Sequence, residues 1–599
     1  MSLATAPSIS ARIGLQPNPI ASLLLIAILI LRHSERRING KDIAIDVVAV
    51  SVGSTLSYSP TLSSAIGEDI KTLLLTFAIT TIYAAWAVLL VFLGSKAGPL
   101  FDNGSGWAFY HFSLIWASGW YFLGAISPLG RQGDWTIYEP FFLDQFGWIV
   151  PIFGEVGVDF ISASMAYLVF ELFHARRHSI GEDRQRKVAA LIDVREEELD
   201  DIELVQEPSG GSRGLLPLFL FLLAVVLPSQ LSSSPTPPAP NSPFVSMTCV
   251  LPRQHSSSRS SPTFKEYLRE TELLSSNSKL LLWPEAAVHF DKDNLYEGLA
   301  AIGHLSSQGR TFVGVGYTAP YNLLNLSNPD DTFTSKSANA FTLFDPEGRQ
   351  LFTYLKQQLV PMAESFAFRS GSGPIPSAKI AIPIPPSRSA NPKRPNSVDL
   401  TVSPAICHDT SFPSLLTSQA SKSDLILSPS SIWSTPLAWS RIHHLSLRSK
   451  TNGFSVFTCD GGEGGISSFV DAEGRVRAWQ AGNGQSFTVE VQTNPTVGKS
   501  TFFAQLGWSG ILGLVWGVGA IGWGTRIAAS KENIRLIDRL THRDGRLGTT
   551  EVAGSCWNWN YPISPLTWLR RATSGRDRGS GDENQEAPRN LIDVDEDTV

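Results

Sequence analysis

Charge and cysteine are both scarce in this 599-residue chain. Charged residues make up 17% against 43% hydrophobic, a balance that fits a chain part membrane and part globular. A net charge of -6, with no extended basic stripe in the globular part, argues against a nucleic-acid partner. The four cysteines, Cys249, Cys407, Cys459 and Cys556, lack metal-ligand spacing and set out no disulfide framework. Neither a metal nor a cofactor is expected. The length exceeds what one compact core supports, so two or more structural units are expected.

What is abundant is apolar sequence, crowded into residues 19–229. Candidate helices are 19–31, 43–64, 73–93, 107–129, 146–173 and 215–227, with a Gly-rich one at 506–527. A span needs about 20 apolar residues. By that rule 73–93, 107–129 and 506–527 qualify, 43–64 is too polar to rank with them, and 19–31 and 215–227 are short. Six or seven crossings are expected. The first run is followed by Arg32, Arg36, Arg37 and Lys41, without a small-residue cleavage site, so it reads as a stop-transfer segment rather than a signal peptide. Basic flanks at 32–41, at 176–187 and after Arg526 belong on the cytosolic side. Seven crossings then put 230–504 on the opposite face, where Asn325-Leu326-Ser327 is a glycosylation acceptor; Asn103-Gly104-Ser105 would be cytosolic and unused. The endoplasmic reticulum lumen is the expected compartment.

The expected organisation is a multi-pass region 1–229 with a charged cytosolic loop at 174–213 and a Ser/Pro spacer at 230–242. A domain at 243–504, a last helix at 505–527 and a polar, disordered cytosolic tail at 528–599 complete it. Within 243–504 short β-rich runs alternate with helical stretches, the pattern of a layered α/β domain. Residues 370–398 form a Pro/Ser-rich surface insertion.

Three apolar runs in this domain each end in one reactive side chain. Leu281-Leu282-Trp283-Pro284 leads to Glu285, Tyr354-Leu355 to Lys356, and Pro404-Ala405-Ile406 to Cys407. A base, an oxyanion stabiliser and a nucleophile suffice to open an ester or amide through a covalent acyl intermediate. The plainer readings are a solvated turn acid, a hairpin lysine and a small buried cysteine. Their joint occurrence favours chemistry.

These segments resemble the carbon–nitrogen hydrolase (nitrilase) superfamily, which implies an α-β-β-α sandwich with Glu285, Lys356 and Cys407 as its Glu-Lys-Cys triad. The flanking helices make the chain similar to the membrane branch, apolipoprotein N-acyltransferase. Lys356-Gln357-Gln358-Leu359-Val360-Pro361-Met362-Ala363-Glu364 follows that branch's Lys-x-x-Leu-Val-Pro-x-x-Glu pattern, which makes Glu364 similar to its second active-site glutamate. Thr501-Phe502-Phe503-Ala504-Gln505-Leu506-Gly507 resembles the lead into its last helix. The likeness covers about 243–508. In the bacterial enzymes Tyr-Glu follows the nucleophile, whereas His408-Asp409 stands here, and Gln357 or Gln358 replaces a histidine after the lysine.

The resemblance implies transfer of a fatty acyl group from a phospholipid donor to an amine acceptor through a Cys407 thioester. Glu285 would be the base, Lys356 the oxyanion partner, Glu364 the orienter, and the His408 N–H a second oxyanion contact. Two alternatives stay open: an amidase or nitrilase using water, and a catalytically silent membrane scaffold. Asp409 reads as a helix cap and the His408 side chain is undecided. Glu155 and Asp159, four residues apart, share a face of a membrane helix, which suggests a polar cavity or a head-group contact. Trp433, Phe366 and Phe368 are candidates for an apolar lip.

Overall fold

The computed structural model describes residues 18–35, 39–102, 107–136, 139, 143–192, 215–231, 244–253, 261–324, 336–383, 397–419, 423–492 and 501–543. Both glycosylation triplets, most of the Ser/Pro spacer and Cys556 lie outside them. The chain divides into two compact units, Met1–Arg526 and Ile527–Val599.

Among the described residues six helices precede the first strand: α1 (Pro19–Glu35), α2 (Gly40–Ile66), α3 (Ile70–Asp102), α4 (Ala108–Ile126), α5 (Val150–Ile192) and α6 (Leu215–Leu231). Among the described residues four stretches are long and apolar enough to cross a membrane: Gly40–Ile66, Ile70–Ala97, Val150–Arg177 and Phe502–Thr525. The segment thought too polar qualifies by length and composition, at 27 residues, and its N-terminus is well closed. Asn39 caps Asp42 N–H at 3.1 Å and the Asp42 carboxylate returns to Asn39 N–H at 3.3 Å. The expected crossing at 107–129 does not: α4 is 19 residues long, and His111, Ser113 and Ser118 interrupt its apolar run. Its Phe109, Phe112, Trp116 and Trp120 are buried among neighbouring helices, while Phe122 and Ile126 are exposed. Pro19–Ser34 and Leu215–Gln230 are apolar but shorter. The charged loop expected from 174 continues as helix α5 to Ile192, and the tail expected to be disordered from 528 is helical to Arg543.

The α/β part has two sheets. Strands β1 (Phe244–Cys249), β2 (Leu280–Leu282), β3 (Val288–His289), β4 (Phe312–Pro320), β5 (Ser337–Phe344), β6 (Gln350–Leu355) and β13 (Phe487–Gln492) form one, in the order β13-β1-β2-β4-β5-β6 with β3 against β4. The other runs β12 (Val476–Ala481), β11 (Ile466–Val470), β10 (Ser455–Asp460), β9 (Leu425–Ser430), β8 (Ser397–Pro404), β7 (Ala378–Pro383). Each has a parallel centre, β1-β2-β4 or β8-β9-β10, with antiparallel strands outside it.

Alternation along the strands builds the layers. Leu280 and Leu282 of one sheet pack between the layers with Leu400, Val402 and Leu427 of the other. Leu281 and Trp283 point the other way, toward Tyr267 of α7 (Phe264–Ser275) and Ile302 of α8 (Leu295–Gly309). Across the sandwich, Ile426 and Val456 meet Leu445 of α9 (Thr435–Asn452). The domain is an α-β-β-α sandwich, as expected. The last helix, α10 (Phe502–Arg543), follows β13.

One covalent tie went unread in the sequence. Cys249 on β1 and Cys459 on β10 form a disulfide between the two sheets. The partners are 210 residues apart, so no spacing signal exists; the facing of the sheets brings them together. Closing so long a loop is worth about 2–4 kcal/mol. Non-reducing peptide mapping should recover a Cys249–Cys459 cross-link, and Cys249→Ala with Cys459→Ala should lower the melting temperature of the protein. Two free thiols at these positions in native protein would contradict the assignment.

Candidate active site

Glu285 lies three residues past β2, on a turn built for close approach. The indole of Trp283 donates to Thr271 Oγ1 at 2.8 Å and packs on Tyr267, which fixes the chain just before Pro284. On the other side Gly316 leaves room: a Cβ there would come within 2.2 Å of the Pro284 carbonyl oxygen. Asn339 on β5 donates its amide to Glu285 Oε1 at 2.7 Å. The same oxygen accepts from Lys356 Nζ at 2.6 Å. Oε2 has no hydrogen-bond partner among the described residues.

Lys356 is the first residue after β6 and is only 1% exposed. Its backbone N–H donates to Asn339 O at 2.9 Å, so Asn339 steadies both the lysine and the glutamate. Nζ also donates to Glu364 at 2.7 Å, while Glu364 Oε2 closes its own loop by accepting from Val360 N–H at 2.7 Å. Burial works to lower the Lys356 pKa, but Glu285, Cys407 and Glu364 outweigh it and hold it well above the ordinary lysine range. Burial raises the Glu364 carboxyl, opposed by Lys356 and reinforced by Glu285. Ammonium Nζ has three N–H bonds, and two are occupied.

Cys407 opens a 3₁₀ turn, Cys407–Ser411, at the end of β8. It sits at φ 43°, a left-handed backbone that β-strand residues avoid and that is concentrated at functional turns. It is half-buried and unbonded to another cysteine. Burial pushes its thiol far above the usual range, Glu285 adds to the rise, and Lys356 and Arg441 oppose it.

Asp409 does more than cap. Its carboxylate accepts from Ile406 N–H at 3.0 Å, as a cap does, and also from Tyr354 OH at 2.9 Å, Gln357 N–H at 3.2 Å and Gln358 N–H at 2.8 Å. It therefore joins the cysteine turn to the lysine loop. Burial raises its pKa to about 6, against the pull of Lys356 and these donors. Beneath the turn, buried Arg441 of α9 donates to Thr410 Oγ1 at 3.1 Å and Ser428 Oγ at 2.6 Å, and to Ser430 Oγ. Thr410 in turn donates to the Cys407 carbonyl at 2.8 Å. His408 contacts Pro128 O through Nε2 at 3.2 Å; burial lowers its pKa to about 4, so it is neutral.

The sequence-derived set Glu285, Lys356 and Glu364 is thus one hydrogen-bonded group whose charges reach Cys407, with His408 turned toward Pro128. Asn339, Arg441 and the linking role of Asp409 were not foreseen. Of the lip candidates, Trp433 donates its indole N–H to Thr61 O of α2 at 3.0 Å, Phe368 is half-buried, and Phe366 is 75% exposed. Among the described residues no cluster of His, Cys, Asp and Glu has metal-binding geometry.

No family model matches the chain, and no curated protein does. Solved structures of a bacterial amidase are similar to it. A cysteine-to-alanine mutant of the Nesterenkonia AN1 amidase from the nitrilase superfamily is 16% identical, over 43% of this chain and 94% of that one, with a TM-score of 0.33. An amidase from Nesterenkonia sp. gives 17%, 42%, 92% and 0.33 for the same quantities. A glutamate-to-leucine mutant of the AN1 enzyme, with the acetamide moiety of fluoroacetamide added covalently at its active-site cysteine, gives 16%, 43%, 93% and 0.32. The sandwich assignment stands on the two sheets of this chain.

Asp409→Asn should leave at least one of the four donors facing an amide N–H, at a cost of about 1–3 kcal/mol for each orphaned group, read as a lower melting temperature. His408 binds its proton less readily folded than unfolded, so its contribution to stability is complete above pH 6.5 and disappears toward pH 4. The stability difference between wild type and His408→Gln should therefore narrow on acidification over that interval. A widening gap would contradict the assignment.

Proposed function

We propose that this chain is a membrane-bound N-acyltransferase that moves a fatty acyl group from a phospholipid to an amine through a Cys407 thioester. The observation that carries the reading is the Lys356 ammonium held at 2.6 Å from Glu285 and 2.7 Å from Glu364, on a loop that Asp409 ties to the turn where Cys407 sits at φ 43°. The apolipoprotein N-acyltransferase pattern 356–364 and the flanking spans support the lipid donor.

In the first half-reaction Glu285 Oε2 takes the thiol proton as sulfur attacks the ester carbonyl. The carbonyl oxygen becomes negative and draws on the unoccupied third N–H of Lys356, aided by the His408 N–H. Donors of this kind are worth roughly 3–4 kcal/mol. Collapse of the intermediate expels the glycerol oxygen, which recovers the proton from Glu285 and leaves as a lysolipid. An amine then attacks the thioester, gives its proton to Glu285, and releases the N-acyl product; the sulfur takes the proton back. Glu364 keeps Lys356 charged and aimed throughout.

We place the catalytic domain on the non-cytosolic side, in the endoplasmic reticulum lumen. Arg/Lys-rich flanks on the opposite ends of the spans support this. The buried Cys249–Cys459 bond supports it independently, since such bonds persist in oxidising compartments.

Incubation with acyl-labelled phospholipid should trap label on Cys407 as a hydroxylamine-sensitive adduct, absent from Cys407→Ala. Glu285→Gln should slow its formation by about 10²–10⁴-fold, the usual weight of a general base. A Cys407→Ala protein with full acyl transfer would end the reading. Ammonia or free acid from a small amide, with no lipid-derived adduct, would select the amidase alternative.

A further inference from the structure

The turn that carries Cys407 is held from the membrane side as well as from within its own domain. Ser411, its last residue, offers a carbonyl oxygen that accepts from Arg448 Nη2 at 3.1 Å and from the Arg131 backbone N–H at 3.3 Å. Arg448 belongs to α9, and Arg131 to the loop that leaves α4. The loop lies against the turn so closely that a Cβ on Gly130, at φ +59°, would stand 2.5 Å from Ser411 O. One residue from the nucleophile, His408 meets Pro128 of the same loop at 3.2 Å.

Behind this contact lies a buried ion network that the acyl-transfer chemistry does not use. Glu155 of α5 accepts from Arg448 Nε at 3.2 Å through Oε1 and from Arg131 Nη1 at 3.2 Å through Oε2. Arg131 also donates to Asp159 at 2.8 Å and Asp134 at 2.6 Å, and Thr136 donates to Asp159. Arg131, Arg448, Glu155 and Asp159 are each 1% exposed or less. The pair of acids expected to mark a polar cavity or a head-group contact is thus engaged by arginines instead.

We propose that Arg131, Glu155 and Arg448 are positioning residues for Cys407, so that the helical region completes the nucleophile's setting. The inference rests on the reading of Cys407 as nucleophile. Glu155 grips both guanidinium groups, and both arginine residues reach the same carbonyl four residues after the sulfur-bearing one. Arg441 and Asp409 restrain the turn from the sandwich side, so the network supplies the restraint on its remaining side. Removing one member leaves a buried charge unmatched, and the network then relaxes by moving the loop or α9, both of which carry the turn with them.

The test uses full-length protein in lipid nanodiscs, with Arg349→Ala, an exposed side chain on the β5–β6 turn, as control. Two readouts are taken: Cys407 acylation by a phosphatidylethanolamine with a labelled acyl chain, and Cys407 alkylation by iodoacetamide across pH. Glu155→Gln and Arg448→Gln should slow acylation about 10- to 100-fold, as displacement of reacting atoms by roughly 1 Å does. The KM for the lipid should stay within about threefold, because the interaction lost is not a substrate contact. The alkylation midpoint should move by about half a pH unit or more, since Lys356 and Glu285 no longer meet the sulfur in the same geometry. Should either Gln variant fail to fold, Arg448→Lys, which keeps the charge and loses the fork, carries the same comparison. Wild-type acylation and an unmoved alkylation profile in folded variants overturn the proposal. A wild-type protein that takes no acyl label overturns the lipid-donor reading instead, and the alkylation profile still decides positioning.

Discussion

The Lys356 ammonium, enclosed between two carboxylates, is the constraint around which this site is arranged. A lone buried charge would shed its proton; two acids at hydrogen-bond distance prevent that. Glu285 follows β2, while Lys356 and Glu364 both follow β6, so the strands must deliver the two segments in register. Leu282 of β2 pairs beside Gly314 of β4, and Ala340 of β5 beside Leu355 of β6, so a slip by one residue would turn either side chain out of the group. The local fittings follow from the same demand: Gly316 makes room for the glutamate turn, and Asn339 bonds both neighbours.

The thiol belongs to the other sheet, and the ties between the sheets matter for that reason. Asp409 spans from the cysteine turn to the lysine loop with four acceptor bonds. The Cys249–Cys459 bond links the sheets elsewhere, next to the strand that leads to Glu285. Burial without these ties would leave a reactive set assembled from two layers free to shear. The membrane helices enter the same scheme through α5 and the loop after α4.

How much of this was legible in the sequence depended on where each partner lies. Glu285, Lys356 and Cys407 each end an apolar run, a local signal, and the spacing from Lys356 to Glu364 is short enough to read as a motif. The sandwich was legible for a similar reason, since strand–helix alternation is a near-neighbour pattern. Asn339 sits inside β5, where nothing distinguishes it from an ordinary strand residue until Glu285 arrives from 54 positions away. Cys249 and Cys459 are separated by 210 residues, and Glu155 meets Arg448 across 293. Helical spacing identified Glu155 and Asp159 as one face, but chain order held no hint of the arginines that occupy it. The expectations for α2 and α4 missed because the helix bounds, which set the stretch over which apolar character is averaged, were not legible in the sequence.

The double grip on Lys356 has a further consequence under the proposed mechanism, in which an acyl group is held on sulfur. A neutral primary amine beside a thioester is itself an acceptor, and capture of the acyl chain there would form a stable amide and end the enzyme's life. Because both acids keep that nitrogen protonated, it has no lone pair to offer, and its burial denies it the approach angle. In the proposed mechanism the arrangement that polarises the carbonyl would therefore also guard the protein against self-inactivation.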